Sequence, residues 1–224
     1  MKNSKFIYKL ACALISLAIF TSPGLAQKYD KFVDKVNVAY ESGDYIKAKK
    51  SNIKFRKKVT KKLGSQSNYV VEYYLMAARN DLAEGTLVGF NTNYIEAVSL
   101  SEKVNTEQSA EHILVLNRVS NMLLQNGNPQ QAAVYIKLAQ DYVDKIENNQ
   151  DIKAFTDLNS AAVYSSQGFY AKAIEFIAEN EKYYSSRALN KETKIDDKTG
   201  KLKTVKLDAK ETAKRLDEDR KSVV

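Results

Sequence analysis

Between Tyr29 and Glu41 the apolar residues Tyr29, Phe32, Val33, Val36, Ala39 and Tyr40 recur at three- and four-residue steps. That period places them on one face of a helix. Gly43 interrupts it, since glycine takes the left-handed conformation that ends a helix at little cost. Asp44 then stands where a side-chain oxygen caps a second helix. The inward side of that helix reads Tyr45, Ala48, Asn52, Phe55, Val59 and Leu63, and Gly64 ends it.

The same order of signals recurs further on. Thr106 to Asn126 predicts a helix with Ile113, Leu116, Val119, Met122 and Leu123 inward. Gly127 stops it, Asn128 caps the next one, and Pro129 takes the first turn, where its missing N–H costs nothing. Gln131 is spaced to reach back to the cap, and Ala132, Tyr135, Ile136, Ala139 and Val143 form the inward side. Ile152–Gln167 and Tyr170–Tyr184 flank Gly168 in the same way, with Ala173, Ile174, Ile177 and Ala178 expected inward. A weaker copy lies between. Ser67–Glu84 reads as a helix, "GTLVGFNTN" as a long loop, and "YIEAVSLSEKV" as the partner helix, with Tyr94 and Ala97 matched to Tyr45 and Ala48.

Aligned on Ala48, Ala97, Ala132 and Ala173, the copies stand 49, 35 and 41 residues apart. Helix pairs repeating at such a period predict an all-α fold, an α-solenoid of about four antiparallel helix pairs. A plain bundle of the same helices is the alternative. The chain divides into a leader at 1–26, the repeat domain at 27–189, a small C-terminal β-hairpin at 190–207 around "DKTG", and a polar terminal helix at 208–224. That last helix either caps the solenoid or opens a further repeat.

"AYESGDYIKA" and "AVYSSQGFYAKAIEF" resemble tetratricopeptide repeats, and the resemblance covers roughly residues 28–185. The resemblance implies a groove lined by the first helix of each pair, holding a protein or peptide partner. Its facing positions are Asp34, Asn37, Asn117, Arg118, Asn121 and Asn159. An asparagine both donates and accepts, so such residues resemble the family's readers of an extended peptide backbone. The lysines with which some members clamp a terminal carboxylate have no counterpart at matching positions.

Composition adds a location. Lys2, Lys5 and Lys9 precede the apolar "LACALISLAIF", and Gly24 and Ala26 are small residues before a cut. This is the pattern of a secretory signal peptide, cleaved before Gln27. The apolar run is too short to span a bilayer. The expected location is the periplasm or outside the cell, and the cleaved protein is not expected to be an integral membrane protein. Cys12, the one cysteine, lies in this leader, so the mature chain has no disulfide and no cysteine-held metal.

Charge is uneven. Residues 27–66 hold twelve basic and four acidic side chains, and residues 67–180 hold seven and fourteen. Lys47, Lys50, Lys54, Lys57 and Lys61 fall on one face of the second helix. Such a stripe is either a solvated face or a seat for an anionic envelope polymer or lipid. Nucleic acid is disfavoured, because the chain is exported and its aromatic residues point inward.

No set of parts for an active site is legible. His112 is the one histidine and lacks companions for a metal site or a triad. No calcium loop or phosphate loop occurs. The sequence therefore predicts a non-catalytic protein- or peptide-binding scaffold of the cell envelope, with no cofactor. A sensory input region of a larger signalling protein, or a binder of anionic polymer or lipid, is the alternative.

Overall fold

The computed structural model describes residues 26–106, 109–146, 150–189, 191–195 and 202–206. Eight helices run in order: α1 (Ala26–Glu41), α2 (Tyr45–Leu63), α3 (Asn68–Ala83), α4 (Leu87–Val104), α5 (Ala110–Gln125), α6 (Pro129–Val143), α7 (Gln150–Ser166) and α8 (Tyr170–Leu189). Two short strands, β1 (Lys191–Ile195) and β2 (Leu202–Lys206), pair antiparallel with Lys191 opposite Lys206. The expected leader up to residue 25, the turn at 196–201 and the terminal helix at 208–224 lie outside the described residues.

One turn, used four times, makes the pairs. Gly43, Gly85, Gly127 and Gly168 all take positive φ, between 72° and 85°. In each case the next residue's N–H donates back to the carbonyl five residues earlier: Asp44 to Ala39, Thr86 to Asp81, Asn128 to Leu123 and Phe169 to Tyr164, at 2.8–2.9 Å. The glycine's own N–H donates three residues back. This Schellman arrangement satisfies carbonyls that the helix end leaves open, and it turns the chain straight into the next helix. Asp44 and Asn128 then accept from the N–H groups of Lys47 and Gln131, at 3.0 and 3.1 Å, as their spacing predicted.

The second copy differs from the sequence-based expectation. "GTLVGFNTN" is not a loop: Gly85 and Thr86 form the same tight turn, and α4 begins at Leu87. The copies therefore repeat at intervals of 42, 42 and 41 residues, measured glycine to glycine. Leu87 and Phe90, not Tyr94 and Ala97, stand where the first copy has Tyr45 and Ala48. Gly89 and the polar residues around it look like a loop in isolation. Burial of the whole Phe90 ring favours helix here, where propensity alone does not.

Among the described residues each helix packs only on the next helix or the next but one. Close backbone approach skips one helix only within the odd series α1, α3, α5 and α7. Among the described residues the even helices meet through side chains, as where Gln131 and Tyr135 of α6 reach Tyr94 of α4. The odd helices thus form a continuous inner layer and the even ones a splayed outer layer, the architecture of an α-solenoid and not of a bundle about one axis. The buried apolar residues form two clusters. One joins α1 and α2 to Val70 and Met76 of α3, and the other runs from Val71 through α7.

The last pair also departs from expectation. Ala173 is buried, but Ile174, Ile177 and Ala178 are exposed. Ile136 and Ile177 occupy the same place in their copies, at 1% and 50% exposure. Ile136 is covered by α7, whereas among the described residues no further helix covers Ile177. Helical period alone does not tell an inner copy from an end copy.

Candidate functional site

The six groove positions all fall on the inner layer, and most of them are held by neighbouring pairs. Asp34 on α1 is exposed. Asn37, half-buried, accepts a 2.6 Å hydrogen bond from the Arg79 guanidinium of α3, which also lies 4.0 Å over the Tyr40 ring. Arg118 of α5 grips Glu72 of α3 with both of its terminal nitrogens, one at 2.9 Å. Burial alone would raise the Glu72 pKa. The Arg118 charge and hydrogen bond, with Arg79 nearby, outweigh it and hold the carboxyl below its ordinary range. Burial and the Arg118 charge together pull Arg79 down.

The asparagines of α5 and α7 are a correction. Asn117 and Asn159 are buried between the helices and do not face an open groove. Asn117 Nδ2 donates to the Ile113 carbonyl at 2.9 Å and to Thr156 Oγ1 at 3.0 Å. Its Oδ1 accepts from Asn159 Nδ2 at 2.8 Å, and Asn159 Oδ1 accepts from Asn121 at 2.9 Å. Thr156 Oγ1 donates its own hydrogen bond to the Ile152 carbonyl. These residues staple the third pair to the fourth. Side chains that bond inward are not available as readers of a peptide backbone.

Two partners, Glu72 and Arg79, escaped the sequence reading. The signal that finds them is the period. Bonded inner-layer partners are 42, 46 and 38 residues apart, one repeat give or take one helical turn. An alignment with intervals of 49 and 35 hides that relation.

The basic stripe lies on the outer layer. Lys47, Lys50, Lys54, Lys57 and Lys61 are all exposed on α2. Lys54 and Lys57 join Lys35, Lys58, Ser51 and Phe32 around a cleft of about 400 Å³ between α1 and α2. The Lys58 ammonium sits 4.2 Å from the Phe32 ring centre. No carboxylate lines this cleft, and the four lysines around it give it a positive charge. Lys47, Lys50 and Lys61 stand outside it.

His112 is buried at the start of α5, with Nδ1 3.1 Å from Ser101 Oγ and its ring against Tyr142. Among the described residues no group of side chains is arranged to hold a metal ion, and no helix is long and apolar enough to cross a membrane.

No protein-family model matches the chain, and no curated protein matches it in sequence. Among solved structures, the crystal structure of BtubC (BKLC) from P. vanneervenii is similar, with a TM-score of 0.60 at 17% identity over 84% of this chain and 74% of that one. At that identity the likeness carries the fold alone: a helical repeat-like array.

Proposed function

We propose that the chain is a non-catalytic binding scaffold of the bacterial cell envelope, a tetratricopeptide-like solenoid exported by its leader, which takes a protein or peptide partner along the inner layer. The observation that carries this reading is the unbroken run of α1, α3, α5 and α7, in which each odd helix lies on the next. Cross-pair bonds hold it rigid at Asn37–Arg79, Glu72–Arg118 and Asn121–Asn159. A rigid face of repeated helices binds without a large ordering cost. Asp34 and the outer part of Arg118 are the predicted groove residues open to a partner. Asn117 and Asn159 act by holding the face in shape.

A second reading rests on the cleft around Phe32, where four lysines and no acid converge. It takes an anionic polymer or lipid head group as the ligand. A photo-crosslinking residue at Asp34, and separately at Lys54, separates the two readings in intact cells. The scaffold reading expects a discrete protein adduct from position 34. No adduct there, with salt-sensitive capture on anionic vesicles that Lys54→Glu plus Lys57→Glu abolishes, replaces it with the second reading.

A further inference from the structure

The joint between the first and second pairs is built unlike the other two. In register with the turn glycines, Asn52, Asn80, Asp81 and Gly89 stand where the next joint has Tyr94, Met122, Leu123 and Gln131. The last joint has Ile136, Val163, Tyr164 and Lys172 at those places. At the second joint Gln131 Nε2 donates to the Tyr94 hydroxyl at 2.7 Å and closes the space between α4 and α6. At the last, Lys172 lies on the Tyr164 ring and donates to its hydroxyl at 2.9 Å. The first joint has given up bulk at the equivalent places and gained polar groups. A side chain at Gly89 is also opposed, because a Cβ there would lie 2.6 Å from Asp81 Oδ2.

The result is a cavity of about 230 Å³ lined by all four of these residues, with Arg79, Tyr73 and the apolar Val36, Met76 and Ala77 among its walls. Its more exposed lining residues, Lys49 and Ile53 of α2 and Thr86 at the start of α4, place its mouth between the splayed outer helices. The cavity coincides with the division of the apolar core into two clusters.

Its polar groups divide into two kinds. Asp81 and Lys49 are matched within the protein, whereas Arg79 is bonded through one terminal nitrogen only. Asp81 takes Lys49 at 3.3 Å and Asn93 at 2.7 Å, Lys49 also reaches Glu84, and Arg79 holds Asn37. The others have no hydrogen-bond partner in the protein: both ends of the Asn80 carboxamide, Asn52 Oδ1 and Arg79 Nε. Asn52 and Asn80 are each only 3% exposed. Buried polar groups are nearly always paired, and departures from that rule concentrate at functional sites.

We propose that this joint is a binding pocket for a small uncharged ligand bearing a primary carboxamide. Asp81 and Lys49 answer each other, and the unpaired groups are donors and acceptors alike, which a neutral ligand suits better than a carboxylate or an ammonium. What remains is a paired donor and acceptor on Asn80, one further acceptor and one further donor. A primary carboxamide offers two N–H donors and a carbonyl with two lone pairs, which answers that set. The chain already makes such a reciprocal pair elsewhere: Asn68 and Asn105 donate to each other's carbonyl oxygen at 3.1 and 2.8 Å. The apolar walls would hold the ligand's body. The pocket opens on the outer layer, so the proposal stands apart from partner binding along the inner one.

The test is titration of the full chain with isobutyramide and nicotinamide, followed through the side-chain amide signals of Asn80 and Asn52 in 15N-correlated NMR spectra. Isobutyrate and glycerol serve as the carboxylate and polyol controls. The proposal expects saturable shifts of both signals with the carboxamides and at least tenfold weaker effects with the controls. Asn80→Met, which copies Met122 of the next joint, should weaken carboxamide binding at least tenfold, read from the Asn52 signal, while the circular dichroism spectrum is kept. Asn52→Leu, read from the Asn80 signal, gives an independent check. No saturable shift by any probe, meaning a merely hydrated cavity, would overturn the proposal. So would equal binding of isobutyrate or glycerol, or carboxamide binding undiminished in both variants.

Discussion

The first joint leaves more of its buried amide groups unpaired than the last joint does. Between the third and fourth pairs, Asn117, Asn121, Thr156 and Asn159 hand hydrogen bonds from helix to helix, and Asn117 uses both ends of its carboxamide. Between the first and second pairs, the Asn80 carboxamide and Asn52 Oδ1 find nothing in the protein. The turns, the period and the helix pairing are common to both. The lesson is that a repeat fixes where side chains meet but not what they do there. One asparagine is bonded on every side and another is left without a partner in the protein according to what stands across the joint.

That contrast can be broken in order of size. The apolar reference comes first. Ile136→Ala inside a joint should cost about 4 kcal/mol, the range for deleting a well-packed branched side chain. Ile177→Ala at the same repeat position in the last pair should cost under about 0.5 kcal/mol, as at other exposed sites. Urea midpoints of the two variants measure the difference, and equal costs would mean that Ile177 is covered in solution.

Asn117→Ala comes next. It strands the Asn159 amide and removes bonds to Ile113 and Thr156, so about 3 kcal/mol should be lost by the same measurement. At the first joint the sign reverses. Asn80→Met removes an unpaired carboxamide and restores the residue type of the second joint, and it should raise stability by about 1 kcal/mol. A loss of similar size to that of Asn117→Ala would show that both joints are structural.

The smallest effect is in acid. Glu72 has its pKa below the ordinary 4.5 because Arg118, aided by Arg79, outweighs burial. Its contribution is therefore fully present above pH 4.5 and is lost as pH falls through the lower folded value. Glu72→Gln should flatten this part of the acid limb and leave the alkaline limb unchanged, as read by thermal melts from pH 3 to 8.

Much of the helical architecture was legible in the sequence. Gly43, Gly127 and Gly168 mark three of the four turns, and Asp44 and Asn128 cap as their spacing implied. Gly85 was hidden because Gly89 follows it so closely that the segment reads as loop. The buried Phe90 ring explains the helix. The six expected groove positions fall on the odd helices, and two of them are sealed between pairs. Helical period assigns a face, and whether that face meets water depends on how closely the next pair is set.

The sequence by itself determined where the chain turns and which residues pair within each hairpin of helices, because glycine conformation and capping act over a few neighbouring residues. Which asparagines are spent on holding pairs together, which carboxylate keeps its charge, and where a cavity opens were decided only when residues about 42 positions apart came into contact. Those outcomes depend on distances across a joint, and no local pattern encodes them.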